Sequence, residues 1–152
     1  MVCRGQERGA ILQPLFLLVE LFLALVAVFL AGSVHFLLLR RIAATLKERR
    51  SGAYLSFIAL LIGGTLGQCV AAFLFALAYV FSSALGLGYL EAKEPLNLLE
   101  IFSFSLVNIT TLGLGDVIPD GALKLMAGIE AMTGFLLISC TASHVFQAMK
   151  LD

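Results

Sequence analysis

Charge is scarce in this chain, and no tryptophan is present. Only 13% of the 152 residues are charged, 61% are hydrophobic, and the formal net charge is zero. Because soluble globular domains carry about 25% charged residues, this composition excludes a water-soluble domain. A balanced charge also gives no reason to expect a nucleic-acid partner.

Cysteine and histidine are too few and too scattered to form a site. The three cysteines are odd in number, and Cys69 and Cys140 fall within long apolar segments, so no disulfide framework is expected. His35 and His144 have no cysteine or carboxylate at metal-ligand spacing. No nucleophile–base cluster is recognisable either. These absences predict a protein that is not an enzyme and that carries no organic cofactor.

Long apolar runs occupy most of the chain. Three of them, at 10–39, 54–85 and 122–149, reach the roughly 20 residues that a membrane-spanning helix needs. A fourth, from Leu96 to about Asn108, is too short to cross and is typical of a re-entrant segment. The sequence therefore predicts an all-α membrane protein with three transmembrane helices plus one re-entrant helix.

A threonine- and glycine-containing stretch follows the short run: Thr110-Thr111-Leu112-Gly113-Leu114-Gly115-Asp116. A dehydrated cation must meet oxygens on all sides, and rings of backbone carbonyls from four chains can replace its water shell. Gly113 and Gly115 can adopt the left-handed backbone that turns successive carbonyls towards one axis. Thr111 can add its hydroxyl to the innermost ring, and Asp116 places a carboxylate at the mouth. The stretch predicts a selectivity filter.

This stretch resembles the Thr-x-Gly-[Tyr/Phe/Leu]-Gly-Asp signature of the potassium-channel superfamily. The chain is most similar to small bacterial ion-channel proteins with one pore loop per chain, over about its last third to two fifths. Glu130-Ala131-Met132-Thr133-Gly134 also resembles the Glu-Ala-x-x-Gly pattern of their inner helices. The resemblance implies a homotetrameric pore in the lipid bilayer with K⁺ as the permeant ion. The filter residues that would bind K⁺ are Thr111, Leu112, Gly113 and Leu114, followed by Gly115.

The resemblance also implies a division of the chain into two parts. Residues 1–53 would form an extra transmembrane helix and a basic cytoplasmic link, and residues 54–152 would form the pore domain. Within that domain we expect an outer helix at 54–85, a pore helix at 96–109, the filter at 110–116 and an inner helix at 121–149.

Support for the filter is expected from Thr110, Asp116, Phe104 and Glu130. Phe104 lies in the pore helix, where many relatives carry a tryptophan pair, and Leu114 replaces the usual Tyr or Phe, so apolar packing should contribute more to bracing. Glu130, about two and a half turns into the last helix, should lie at filter depth. A buried carboxylate there must be paired, protonated or hydrated. We expect it to accept a hydrogen bond from Thr110 or from the pore-helix end; the alternative is pairing with another helix for assembly.

The remaining expectations concern the roles of several glycines and of one further acidic residue. Gly134, with Gly128 as second choice, is the candidate hinge of the inner helix; the alternative is a glycine that packs against a neighbour. The repeated Leu-Gly-Leu-Gly string at 85–88 is interpreted as a helix-ending turn. Glu20, within the first span, is expected to extend to the membrane surface; the alternative is a functional buried acid.

Basic residues between the first two spans predict the orientation. Arg40, Arg41, Lys47, Arg49 and Arg50 favour a cytoplasmic link, which puts the amino terminus outside and the carboxyl terminus inside. The expected location is the plasma membrane, as a multi-pass protein of the bacterial inner membrane. Leu114 leaves a weakly selective or non-selective cation channel as an alternative, and a non-conducting membrane assembly protein with a pore-like fold is another.

Overall fold

The computed structural model describes residues 3–48, 52–92, 96–113 and 117–149, with side chains from Pro14 onward. Its four helices are α1 (Cys3–Glu48), α2 (Ala53–Ala84), α3 (Leu98–Ile109) and α4 (Leu123–Met149), and its two short strands are β1 (Leu90–Glu91) and β2 (Ile118–Pro119). Helices α1, α2 and α4 are long and apolar enough to cross a membrane, whereas α3 is short and apolar. The predicted all-α membrane fold with three spanning helices is confirmed.

Several helix ends differ from those expected; α4, for example, begins at Leu123, two residues after the expected start. Helix α1 continues through the basic residues to Glu48, so most of the link to α2 is helical and not an extended connection. Helix α3 begins at Leu98, two residues after the expected start, because Asn97 caps it. The Asn97 side chain accepts from the Glu100 backbone N–H at 3.0 Å, and the Glu100 carboxylate accepts from the Asn97 N–H at 2.8 Å. This reciprocal capping box fixes where the helix starts.

One face of α1 is buried against α2 and α4. Its residues recur every three or four positions, as one face of a helix requires. They are Glu20, Ala24, Ala27, Ala31, His35 and Leu39. The expectation that Glu20 extends to the membrane surface is wrong: it is fully buried, because it lies on the same face as the alanines that contact the neighbouring helices.

Glycines in α2 allow the three long helices to approach one another closely. Gly63 lies against Ile42 of α1, Gly67 lies against the ring of His35, and Gly64 lies against Thr141 of α4. A side chain at any of these positions would overlap its neighbour, so small residues permit this packing. Cys69 and Cys140, on α2 and α4, carry free thiols.

The segment that contains α3 leaves and re-enters on the same side of the helices. Strands β1 and β2 pair antiparallel, with Leu90 opposite Pro119 and Glu91 opposite Ile118. Beside them, the Asp120 N–H donates to the Tyr89 carbonyl at 2.8 Å. Because the two ends of the segment are joined in this way, α3 is a re-entrant helix.

The first Leu-Gly-Leu-Gly string ends α2, as its sequence predicts. Gly86 has φ +72°, and the N–H groups of Gly86 and Leu87 donate to the carbonyls of Ser83 (3.0 Å) and Ser82 (3.1 Å). These bonds satisfy carbonyls that the helix end leaves free. Glycine is required here because the left-handed conformation is costly for other residues.

Replacing Gly67 tests the packing of α1 on α2. Gly67→Ala should lower stability by about 1–3 kcal/mol, because its Cβ would overlap the His35 ring. Gly32→Ala is the matched control: a Cβ there meets nothing within 4 Å, and alanine favours a helix by up to about 1 kcal/mol. Thermal unfolding in detergent should give a lower midpoint for the first variant only. Equal midpoints would contradict the close approach of α1 and α2.

Candidate functional site

The segment Thr110–Gly113 follows the end of α3 and is not helical. Thr111 has φ +59° and Gly113 has φ +62°, whereas Leu112 between them does not have a positive φ. An alternation of this kind is what the filter interpretation predicts, and Gly113 adopts its expected conformation. Leu114, Gly115 and Asp116 lie outside the described residues, so their roles stay predictions.

The left-handed conformation of Thr111 was not expected, because β-branched residues rarely adopt it. Two backbone hydrogen bonds hold the chain in this turn. The Thr111 N–H donates to the Asn108 carbonyl at 2.9 Å, and the Leu112 N–H donates to the Val107 carbonyl at 3.2 Å. The start of the segment is therefore tied to the last turn of α3.

Glu130 of α4 is the polar centre of the protein interior. Its carboxylate is fully buried and accepts hydrogen bonds from the Tyr79 hydroxyl on α2 at 2.8 Å, from the Asn108 amide on α3 at 2.6 Å and from the Ser105 hydroxyl. Three helices thus meet at one side chain. Asn108, at the end of the short helix, is one of these donors, as expected, and Tyr79 is a donor from another helix. A role of Glu130 in filter support or in assembly stays a prediction.

The expectation that Thr110 donates a hydrogen bond to Glu130 is wrong. Its hydroxyl donates within α3, to the carbonyls of Val107 at 2.9 Å and Leu106 at 3.1 Å. A threonine at a helix end commonly bonds to the carbonyl three or four residues earlier. This local bond occupies the hydroxyl proton, which is then not available to Glu130.

Asn108 connects Glu130 to the non-helical segment. Its amide also donates to the Ala127 carbonyl at 2.9 Å, and its own backbone carbonyl accepts from the Thr111 N–H. The sequence analysis did not single out Tyr79, Ser105 or Asn108 as partners. A usable signal was present, since Ser105 and Asn108 are polar residues three apart in an apolar helix, which puts them on one face.

Phe104 packs against this network from the side. Its ring lies edge-on to the ring of Tyr79, with centroids 5.4 Å apart. Phe104 also borders a cleft of about 370 Å³ together with Gly113 and Pro119. The side chain therefore touches both the Glu130 network and the surroundings of the predicted filter, while its role as a support stays a prediction.

Gly134 is the point at which α3 ends against α4. It is buried, and a Cβ at this position would overlap the Ile109 carbonyl oxygen and lie 2.6 Å from the carbonyl carbon. Packing against a neighbour, the alternative that the sequence left open, therefore describes its contact. Gly128 has nothing within 4 Å of such a Cβ. A hinge at Gly134 or Gly128 stays a prediction.

The acids on the strand side of the molecule are partly neutralised. Asp120 forms an ion pair with Lys124, and the hydrogen bond from Lys124 holds the pKa of the Asp120 carboxyl below its usual range. Glu100 is used in the cap of α3, and Glu91 is exposed on β1. Within the described ranges no three His, Cys, Asp or Glu side chains form a metal cluster.

The structure has three helices able to span a membrane and a short helix that re-enters, followed by a segment of alternating backbone conformation. This arrangement defines a multi-pass membrane protein with a pore-loop architecture. A family model described as "Ion channel" matches residues 55–150, from α2 to the end of α4. The match covers more than half of the chain, which therefore belongs to this ion-channel family of the potassium-channel superfamily. Its role is ion transport. No curated protein and no solved structure matches the chain significantly.

The contact at Gly134 predicts a cost for any side chain. Gly134→Ala should lower stability by about 1–3 kcal/mol, because α4 must move away from the end of α3. Gly128→Ala, in the same helix but in open space, should be neutral or more stable by up to about 1 kcal/mol. The measurement is the thermal unfolding midpoint in detergent. Similar midpoints for the two variants would argue against the packing at Ile109.

Removing the acceptor at Glu130 should destabilise the protein. Glu130→Leu leaves the Tyr79 hydroxyl and one Asn108 N–H without an acceptor, and each buried unsatisfied group costs about 1–3 kcal/mol; Ser105 keeps an acceptor in the Ala72 carbonyl at 2.6 Å. Glu130→Gln keeps one acceptor oxygen and should lose less, while Glu91→Gln, at an exposed carboxylate, is the control and should lose nothing. Chemical unfolding in mixed micelles gives the order of stabilities. The network is refuted as a source of stability if the Leu variant equals the control.

Proposed function

We propose that this channel is potassium-selective and conducts K⁺ passively through a homotetrameric pore. The observation that carries the proposal is the alternating backbone at Thr111–Gly113, at the end of a re-entrant helix whose depth is fixed by Glu130. Alternation turns successive carbonyls towards one axis, and a ring of such carbonyls can replace the hydration shell of K⁺.

The proposed filter consists of Thr111, Leu112, Gly113, Leu114 and Gly115, of which the first four would contact the ion. The carboxyl end of α3 points into the interior of the membrane, towards Gly134, about 11 residues into α4. At 1.5 Å per residue this is roughly 16 Å along the helix. The partial negative charge of a helix end at this depth would favour a cation below the filter.

A homotetramer follows from the number of filter strands. Each chain contributes one strand, and the filter needs four around its axis. The outer surface of α4 supports this assembly. Its large apolar side chains are well exposed in the single chain, and those that could face the pore or the neighbouring subunits are Met132, Phe135, Leu136 and Phe146.

We infer that the Glu130 network replaces part of the bracing that tryptophans supply in many relatives. Tyr79 bonds to Glu130, and Phe104 packs on Tyr79, so the aromatic pair is joined to the base of the filter through Asn108. Selectivity requires cages of defined size or ligand number, and a fixed filter base favours both. The network thereby supports potassium selectivity despite the leucine at position 114.

The proposed orientation has the pore loop outside and both the α1–α2 link and the carboxyl terminus in the cytoplasm. Arg40, Arg41 and Lys47 lie near the end of α1 that leads into α2, whereas β1 follows the opposite end of α2. Basic residues favour the cytoplasmic side. We propose the bacterial inner membrane as the location.

Potassium flux into liposomes that contain the purified protein tests the proposal. Potassium uptake should greatly exceed sodium uptake, and Gly113→Ala should abolish it, because a left-handed conformation costs a residue with a Cβ about 1–2 kcal/mol. Gly32→Ala, on α1 where a Cβ meets nothing within 4 Å, is the matched glycine control and should conduct.

Each other outcome of the flux measurement identifies an alternative. Equal potassium and sodium fluxes would make the protein a non-selective cation channel. If barium-sensitive flux is absent while a tetramer is present in detergent, either the gate is closed or the protein is an assembly protein with a pore-like fold. A monomer would contradict the proposed pore altogether.

A further inference from the structure

Helix α1 lies outside the matched residues 55–150, yet it contacts the inner helix directly. His35, only 1% exposed, lies on the buried face of α1. Its Nε2 atom lies 2.9 Å from the Thr141 hydroxyl oxygen on α4. This is a hydrogen bond within the membrane span between the additional helix and the helix that would line the pore.

Two glycines of α2 make this contact possible. The His35 ring occupies the space beside Gly67, and the Thr141 side chain occupies the space beside Gly64. A Cβ at Gly67 would overlap the ring, and one at Gly64 would overlap the threonine methyl group. The site is therefore formed by α1, α2 and α4 together.

The hydrogen bonds around Thr141 indicate which imidazole nitrogen carries the proton. When the Thr141 hydroxyl donates to the Leu137 carbonyl, which lies 3.1 Å away, it accepts from Nε2 of His35. In neutral His35 the Nδ1 atom then carries no hydrogen. Nδ1 is buried and has no hydrogen-bond partner among the described residues.

A second proton on His35 does not suit this packing. It would place a positive charge away from water, a cost that the backbone groups of Gly67 and Leu137 beside the ring offset only in part. The residues that face His35 are Gly67 on α2 and Thr141 on α4. The titratable group nearby is His144 on α4, and a positive charge there would repel a charged His35. The buried acid of α1, Glu20, lies 15 residues away, which is roughly 22 Å along the helix.

The inner helix has room to move at this level. A cleft of about 360 Å³ separates α2 from α4 beside the contact and is bordered by both Gly64 and Thr141. Most of its lining is apolar: Leu61, Ile138, Val145 and Phe146. Two side-chain hydrogen bonds reach α4 beside this cleft, one between His35 and Thr141 and one from the Gln68 amide to the Gly134 carbonyl at 3.4 Å.

We propose that His35 is a proton-binding site through which α1 regulates the pore. Neutral His35 holds α4 in the arrangement described here, and binding of a proton at Nδ1 breaks the fit and releases α4. The effect on conduction rests on the proposed channel function, whereas the proton site itself does not.

The sign of the pH effect follows from the same contacts. Because the folded arrangement accommodates only neutral His35, stability contributed by this site is present at neutral pH and is lost as the pH falls. Histidine titrates between about pH 5 and pH 8, so the loss should occur in that range or below it.

Thermal unfolding of the full-length protein in nanodiscs tests the site without reference to conduction. Between about pH 8 and about pH 5 the midpoint of the unaltered protein should fall. His35→Gln cannot take up the proton and should lose most of this fall, while the histidine control His144→Gln, which removes only the nearby repulsion, should retain most of it. Parallel curves for His35→Gln and the unaltered protein would overturn the proposal.

Potassium flux in liposomes then tests the regulatory step. Acid should change the flux of the unaltered protein by about fivefold, which corresponds to one hydrogen bond, and Thr141→Val should produce a change in the same direction at neutral pH. Adding His35→Ala to Thr141→Val should change little further, because both remove the same bond. Additive effects, or a pH response that persists in His35→Ala, would refute regulation through this contact.

The two measurements separate the possible failures. A pH-dependent midpoint that depends on His35, with no potassium flux in any variant at any pH, would uphold the proton site and reject the channel function. Normal potassium flux with a midpoint that does not depend on His35 would reject the proton site and leave the channel function intact.

Discussion

The pore region depends on one buried carboxylate. A buried acid inside a membrane protein is costly unless hydrogen-bond partners surround it, and Glu130 is bonded to one side chain of α2 and to two of α3. Since Asn108 also accepts the N–H of Thr111, the position of the proposed filter is linked to the same carboxylate. The hydrogen bonds to this single side chain thus fix the relative positions of three helices and one loop.

Close contacts at glycine complete this arrangement. Gly134 lets the end of α3 touch α4 directly, one turn from Glu130, and Gly64 and Gly67 let α4 and α1 approach α2. In lipid the association of helices depends on close packing and on interhelical hydrogen bonds, since the surrounding chains are as apolar as the helices themselves. Both contributions occur side by side in this molecule, at the filter level and again around His35.

Helix α1 carries polar residues on its buried face that a helix serving only as a peripheral span would not require. Its outward face carries exposed apolar residues such as Phe22 and Phe29, suited to lipid, but its inward face carries Glu20 and His35 among alanines. Two ionisable residues on a buried face are expensive, and this cost is the physical reason to look for a function there. The contact with Thr141 gives the helix a direct connection to the inner helix of the proposed pore.

Local composition was enough to predict part of the fold. Apolar length specified three spanning helices and one short helix, and glycine specified the left-handed conformations at Gly86 and Gly113. The tertiary structure decided which polar groups meet. Tyr79 and Asn108 lie 51 and 22 residues from Glu130, and His35 lies 106 residues from Thr141, so no local pattern encodes these pairs. Hydrogen bonds act over about 3 Å, and only the packing of the helices brings such distant residues within that range.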